Sequence, residues 1–400
     1  MTAGVVVAGA SVAGLRTAES LRAGGYTQPI TVLSAEEHVP YDRPPLSKQL
    51  LTGAWPAERV RLPVTGRLAE LGIDVRYQAT AESAEIHARR VRLRGGEVIE
   101  YESLVIATGA RPRTLPWAAG QPGVHLLRSL TDALGLAAAL RAGQRVVVVG
   151  AGFIGAEVAS AARDRGCAVT VLEAGQAPLQ HALGPQVGAA LGQLHADNGV
   201  QLRTRTTVHS LHPAAGRQPA RLVLDDGSEL TADVVVVGVG ARPNTDWLAG
   251  SGLTVRDGVV CDEYCRAAPG VFAAGDVARW AHPVLGSVRL EHWTNAREQG
   301  AAVAANILCP GSPTAYAPVP YVWSDHYGHR LQLVGQPTRD TTVRLVLGDL
   351  GRPGFAAVYA RGGRVVGAVG LDAGPAVIGL RPLVAAQAPV EKARAAAAGS

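Results

Sequence analysis

Two glycine-rich segments of the chain have the spacing of phosphate-binding turns. Gly9-Ala10-Ser11-Val12-Ala13-Gly14 follows the apolar run Val5-Val6-Val7-Ala8, and Gly150-Ala151-Gly152-Phe153-Ile154-Gly155 follows Val146 to Val149. Between a buried strand and a helix, such a turn suits a dinucleotide diphosphate. The first glycine permits the tight turn, the second lets the backbone approach the pyrophosphate, and the third lets helix pack on strand. The helix N-terminus then offers unsatisfied N–H groups and the positive end of its dipole. In the second copy Glu173 follows Gly150 by 23 residues, at the end of the next apolar run. A carboxylate there accepts both ribose hydroxyls of an adenosine. A 2′-phosphate beside it would be repelled by roughly 4 kcal/mol at about 4 Å and an effective dielectric of about 20. No arginine follows Glu173 closely, so NADH is expected over NADPH. The first copy is less regular, since Ser11 replaces the middle glycine. Its acid position is ambiguous: Ala35 ends the strand run, and Glu36 and Glu37 follow, with Glu36 favoured as the ribose ligand. Either turn, taken alone, could also be a glycine-rich corner of an α/β sheet with no ligand.

Each turn needs a strand before it, a helix after it and another strand beyond. Helices are expected over Leu15 to Ala23 and Ala156 to Arg165, and second strands over Ile30 to Leu33 and Ala168 to Leu172. The apolar runs lack alternation, as parallel strands covered on both faces do. Two βαβ units about 140 residues apart result, each able to start its own doubly wound domain. Leu104 to Pro112 and Val234 to Pro243 are a second matched pair, Leu-Val-Ile-Ala-Thr-Gly-Ala-Arg-Pro and Val-Val-Val-Val-Gly-Val-Gly-Ala-Arg-Pro. Each reads as the closing strand of its nucleotide domain. From about residue 318 the pattern changes to short β-like runs (Arg330 to Val334, Thr342 to Leu347, Phe355 to Tyr359, Arg364 to Val369) broken by glycine and proline. These imply a third, α+β domain, with an alanine-rich tail from Val390 that reads as a frayed helix or as disorder. The expected fold class is α/β: two Rossmann-like doubly wound nucleotide-binding domains plus a C-terminal α+β domain.

Composition agrees with this and removes other classes. A length of 400 residues suits two or three domains, and 47% hydrophobic against 18% charged residues provides for real cores. The 48 glycines, without a collagen period, indicate many tight turns. Four cysteines are too few for a disulfide-stapled secreted scaffold. No apolar run approaches the ~18 residues of a membrane span, and the chain enters a strand with no basic leader, so a soluble, cytoplasmic protein is expected. The net charge of +5 comes from scattered residues, and with aromatics at 4% a base-stacking surface lacks material. Nucleic acid is therefore not an expected partner. A mildly basic face suits an acidic protein instead.

With these segments in order, the chain resembles the FAD-dependent pyridine nucleotide-disulfide oxidoreductases, and within them the ferredoxin and rubredoxin reductases of cytochrome P450 and ring-oxygenase systems. The resemblance rests on Gly9–Gly14, on Pro40-Tyr41-Asp42-Arg43-Pro44-Pro45-Leu46-Ser47-Lys48, on Gly150–Glu173 and on Val271-Phe272-Ala273-Ala274-Gly275-Asp276. Glu291-His292-Trp293-Thr294-Asn295-Ala296 adds a further match. It implies a glutathione-reductase-like arrangement: a discontinuous FAD domain (1–111 and 243–317), an inserted NADH domain (112–242) and a C-terminal domain (318–400). FAD would then contact Gly9, Ser11, Ala13, Gly14, Glu36, Arg43, Lys48, Ala81 at the adenine end, Arg128, Asp276 at the ribityl chain, and Trp293 beside the isoalloxazine. Trp293 would open a helix running to about Leu308. NADH would contact Gly150, Gly152, Phe153, Ile154, Gly155, Glu157, Glu173 and Gly240.

Lysine occurs only at Lys48 and Lys392, while 36 basic residues are arginine, and Lys48 lies within the strongest motif. A compact ammonium serves there where a guanidinium would not. The resemblance places Glu157 where nicotinamide stacks, so a Lys48–Glu157 pair is expected at the flavin edge as the catalytic pair. The alternative is a surface lysine and an ordinary helical glutamate. Disulfide-reducing relatives carry two cysteines after the first βαβ unit, and residues 38 to 60 contain none. Cys167, Cys261, Cys265 and Cys309 are expected to be structural, with no metal site. Of the histidines, only His292 is expected near the flavin, in a packing or hydrogen-bonding role. Electrons would leave directly to an external acceptor. The expected activity is an NADH-dependent ferredoxin reductase that uses FAD. Its partner would be an acidic iron–sulfur ferredoxin feeding a cytochrome P450 or oxygenase, and the protein a monomer or weak dimer. Alternatives are a rubredoxin reductase, an NADH oxidase, or a redox-responsive binding module similar to apoptosis-inducing factor.

Overall fold

The computed structural model describes residues 4–213 and 219–398. They divide into two compact units, one built from the chain up to Asp42, Glu58–Arg111 and Ala241–Pro318, the other from Arg43–Ala57, Pro112–Gly240 and the chain from Val319 onward.

The first unit is organised by a six-stranded sheet in the order Arg266–Ala268, Val271–Ala273, Ser103–Ile106, Val5–Ala8, Ile30–Leu33, Ile73–Arg76. All neighbours are parallel except the first pair. Val5–Ala8 is buried throughout, as a central parallel strand must be. Ser103–Ile106 does not close the sheet as its position in the sequence suggested. It lies directly beside Val5–Ala8, and the chain returns with Val271–Ala273 to extend the sheet. Helices Val12–Ala23 and Trp293–Leu308 approach closely because Gly300 has no side chain: a Cβ there would lie 2.4 Å from the Ala13 carbonyl oxygen. Thr17 Oγ1 ties the two helices, its single proton lying between the Ala13 and Gly300 carbonyl oxygens at 2.9 and 3.1 Å from the hydroxyl. A small antiparallel sheet, Ala81–Glu85, Arg90–Leu93 and Val98–Glu100, belongs to the same unit.

The second unit repeats the plan. Its parallel sheet runs Gln201–Thr204, Ala168–Glu173, Arg145–Val149, Val234–Val237, Val124–His125. Here too the supposed closing strand, Val234–Val237, sits inside the sheet. Helix Phe153–Asp164 follows the second glycine turn. Helix Gln180–Asp197 is broken at Gly184, φ +77°, just before Pro185. Its Leu183, Val187, Leu191 and Leu194 pack against Leu331, Leu333, Phe355 and Tyr359 of a five-stranded antiparallel sheet. That sheet runs Tyr321–His326, His329–Gly335, Arg364–Leu371, Phe355–Arg361, Thr342–Leu347, its other side covered by helix Gly374–Ala385. The alanine-rich tail forms the short helix Ala393–Ala398, and its last residues, 399 and 400, lie outside the described part.

Candidate active site

Both glycine turns are demanded by the chain's own packing. Gly9 and Gly150 take φ of +121° and +102°, and a Cβ on either would lie 2.1 Å from the Ala107 or 2.4 Å from the Gly238 carbonyl oxygen. A Cβ on Gly14 or Gly155 would lie 1.9 or 2.0 Å from the carbonyl oxygen of the first glycine of its own turn. Gly152 differs: a Cβ there meets nothing within 4 Å. Its lack of a side chain leaves space for something outside the protein fold, which fits a diphosphate approaching the helix N-terminus. Ser11 stands in the matching place with nearly the same extended backbone, φ −100° and ψ −167° against φ −76° and ψ −175° at Gly152. No left-handed conformation is needed, so serine is accommodated without strain. Neither helix N-terminus is capped by the side chain of its N-cap residue.

Around the first turn, Ala13 is buried, and Gly275, φ +78°, would bring a Cβ within 3.1 Å of the Ala13 Cβ. Asp276 therefore sits beside the turn, half-buried, its carbonyl accepting from Arg289 Nη1 at 3.1 Å. Trp293 is the first residue of the helix Trp293–Leu308 and donates from Nε1 to Asp42 Oδ1 at 2.6 Å. The N-cap of that helix is His292, whose buried Nδ1 has no hydrogen-bond partner in the protein. Burial lowers its pKa to about 4. An orphaned ring nitrogen on the N-cap residue of a helix fits a cofactor bound there. Glu36 is half-buried and accepts from the Tyr41 hydroxyl, whereas Glu37 is exposed. Ala81 opens the strand Ala81–Glu85.

Around the second turn, Glu173 ends its strand and folds back onto the turn. Its carboxylate accepts from Ala151 N at 2.8 Å and Gly175 N at 2.7 Å, and its spare lone pairs suit ribose hydroxyls. Phe153 and Ile154 open the helix, Ile154 being exposed, and Gly240 is exposed with φ +96°.

In the second unit Lys48 and Glu157 meet. Lys48 Nζ lies 2.8 Å from Glu157 Oε1, with side chains 12% and 3% exposed. The lysine also donates to the Pro44 carbonyl at 3.2 Å. Glu157 reaches the strand Tyr321–His326 as well, where the Ser324 hydroxyl donates to its carboxylate, and the Ser47 hydroxyl also donates to it. Ser324 Oγ is 2.9 Å from His326 Nε2. Burial, and then the charge of Lys48, lower the His326 pKa to about 4. Arg43 Nη1 donates to the Arg128 carbonyl at 2.5 Å, and the Arg128 amide donates at 3.1 Å to Oδ2 of Asp132, the acid of the Ser129–Asp132 capping box that starts helix Leu130–Ala139. Reading the sequence did not find Ser47, Ser324 or His326 as site residues. Ser47 adjoins Lys48 in the strongest motif, but nothing local marks the other two.

The cysteines are all free, with Cys167, Cys261 and Cys265 buried. Burial pushes the Cys265 thiol up to about 12 and raises Cys261 as well, so neither is poised as a thiolate nucleophile. Among the described residues no group of three His, Cys, Asp or Glu is placed to hold a metal, and no helix is long and apolar enough to cross a membrane.

Known proteins match this chain over nearly all its length. Residues 3–300 match the family described as pyridine nucleotide-disulphide oxidoreductase, and residues 321–400 that described as reductase C-terminal. The ferredoxin–NAD(+) reductase component of the anthranilate 1,2-dioxygenase system of Burkholderia cepacia is 41% identical, covering 96% of this chain and 94% of that one. Rhodocoxin reductase of Rhodococcus erythropolis is 36% identical over 98% of this chain and 92% of its own. In the crystal structure of the covalent putidaredoxin reductase–putidaredoxin complex, one chain superimposes with a TM-score of 0.93 at 31% identity, covering 100% of both. With two glycine turns of the same build and this agreement from end to end, the chain belongs to the pyridine nucleotide-disulphide oxidoreductase family.

Proposed function

We propose that this protein is an NADH-dependent ferredoxin reductase, taking electrons from NADH through FAD to a small iron–sulfur ferredoxin that serves a cytochrome P450 or a ring-hydroxylating oxygenase. The observation that carries this reading is a buried, triply hydrogen-bonded Lys48–Glu157 pair in a chain with two dinucleotide turns and no dithiol beside the first. When bound, FAD supplies the conversion of a two-electron donor into a one-electron source. The first turn, from Gly9 to Gly14 with Ser11 and Ala13, holds the FAD diphosphate, and Glu36 holds its ribose. Ala81 lies at the adenine, Arg43 and Arg128 contact the cofactor, Asp276 binds the ribityl chain, and Trp293 flanks the ring system at a helix N-terminus, where negative charge is favoured. The second turn, from Gly150 to Gly155 with Phe153, Ile154 and Gly240, holds NADH, and Glu173 selects it over NADPH. Lys48 and Glu157 orient the nicotinamide.

On this reading residues 1–111 with 243–317 bind FAD, 112–242 bind NADH, and 318–400 form the C-terminal domain. The ferredoxin is acidic, matching the +5 net charge. The protein works in the cytoplasm as a monomer or weak dimer. The Burkholderia cepacia relative, which bears a ferredoxin–NAD(+) reductase name and is matched over 94% of its length, supports the reading. Steady-state turnover with NADH and ferredoxin, rubredoxin or oxygen as sole acceptor tests it. Ferredoxin is expected to be reduced fastest, and equal turnover with oxygen alone would overturn the proposal.

A further inference from the structure

The Glu157 carboxylate accepts three hydrogen bonds, and one comes from a strand more than 160 residues away in sequence. Helix Phe153–Asp164 presents Glu157 and, one turn later, Ser160 to the segment 321–327. Ser160 Oγ accepts from the Tyr327 amide at 2.8 Å, while Ser324 reaches Glu157 Oε1. Along Tyr321–His326 the side chains alternate, so that Ser324 and His326 point inward, 0% and 2% exposed, while Asp325 points out and pairs with Arg330. Two inward polar side chains on a strand are costly unless each has a partner.

The direction of each hydrogen bond follows from proton counting. A carboxylate only accepts, so the single Ser324 hydroxyl proton goes to Glu157. Ser324 Oγ is then an acceptor toward His326, whose Nε2 must carry a proton. We infer that Ser324 and His326 are positioning residues for Glu157: the imidazole Nε2–H holds the serine hydroxyl, which holds the carboxylate in one orientation against Lys48. Oε1 receives Lys48 and Ser324, and Oε2 receives Ser47, so both oxygens are fixed. Without Ser324, Oε1 keeps only the ammonium of Lys48, a point charge on a flexible stem, so the carboxylate is held less firmly in its orientation. Without the His326 donor, the serine hydroxyl loses the bond that orients it. This deepens the proposed function and rests on its reading of the Lys48–Glu157 pair.

Two measurements on the FAD-loaded protein test the inference. In protein labelled with 15N-histidine, the His326 signals, identified by their loss in H326Q, are expected to show a neutral Nε2–H ring that shifts in both S324A and E157Q. A ring protonated at Nδ1 alone, or signals untouched by both substitutions, would overturn it. In anaerobic rapid mixing with NADH, S324A and H326L are expected to lower the limiting rate of flavin bleaching about tenfold, with NAD+ affinity and flavin content unchanged. S324T and H326Q, which keep a hydroxyl and a side-chain N–H donor, are expected to recover most of that rate. If E157Q is slow while S324A and H326L react at the wild-type rate, the inference fails and the role of the pair stands. If E157Q also reacts at the wild-type rate, the role of the pair fails and takes the inference with it.

Discussion

Replacing Lys48 by methionine is the sharpest perturbation of the site, because it removes one charge and leaves its partner buried. The Glu157 side chain is 3% exposed and would retain only the hydroxyls of Ser47 and Ser324 as donors. Breaking a buried ion pair from one side costs about 3–5 kcal/mol, since the remaining charge loses its partner but not its desolvation. Two hydroxyl donors place this case at the low end, near 3 kcal/mol. Lys48→Met with Glu157→Gln removes the stranded charge and should recover most of the loss. Urea unfolding followed by tryptophan fluorescence at pH 7, for wild type, K48M and the double variant, supplies the numbers. A K48M deficit below about 1 kcal/mol, or a double variant no more stable than K48M, would show that no buried charge had been stranded.

Three further outcomes are expected. His195 and His326 are each 2% exposed with pKa values lowered to about 4, mainly by burial, while the unfolded chain titrates near 6.5. Their contribution is complete above that value and is lost as the pH falls toward 4, about 2 kcal/mol per histidine between pH 7.5 and 5. Glutamine at both positions should flatten the urea midpoint across that range. Gly155→Ala, with its Cβ 2.0 Å from the Gly150 carbonyl oxygen, should lower the melting temperature, whereas Gly152→Val should leave it nearly unchanged and raise the KM for NADH about tenfold. Glu173→Gln keeps the side-chain shape but removes its charge, and should cut the NADH-over-NADPH preference in kcat/KM by about tenfold or more.

What could be read from the sequence was local. The unbroken apolar runs before each glycine turn locate buried parallel strands without knowledge of anything distant, and those strands lie at the centres of their sheets. Thr342–Leu347 was legible to the residue, and Trp293–Leu308 matched what the family resemblance implied. The order of strands within each sheet was not legible, because Ser103–Ile106 and Val234–Val237 come last in their stretches yet pair with the first strand. Helix Gln180–Asp197 was missed because Gly184-Pro185 reads as a breaker, although the chain resumes the helix immediately. Around Glu157 the division is sharper. A side chain's neighbours along the sequence say nothing of a strand that returns from residue 324. Ser-Asp-His in that strand reads as a wet face, because only the folded sheet shows that serine and histidine point inward.

An anaerobic titration watched at the visible flavin band follows both electron transfers, from NADH to flavin and from flavin to ferredoxin, in one experiment. The purified protein is expected to be yellow, to bleach with an equimolar amount of NADH and far less readily with NADPH, and to regain colour on addition of oxidised ferredoxin. A colourless protein, or a flavin that NADH leaves oxidised, or a bleached band that ferredoxin cannot restore while oxygen restores it at once, would contradict the account.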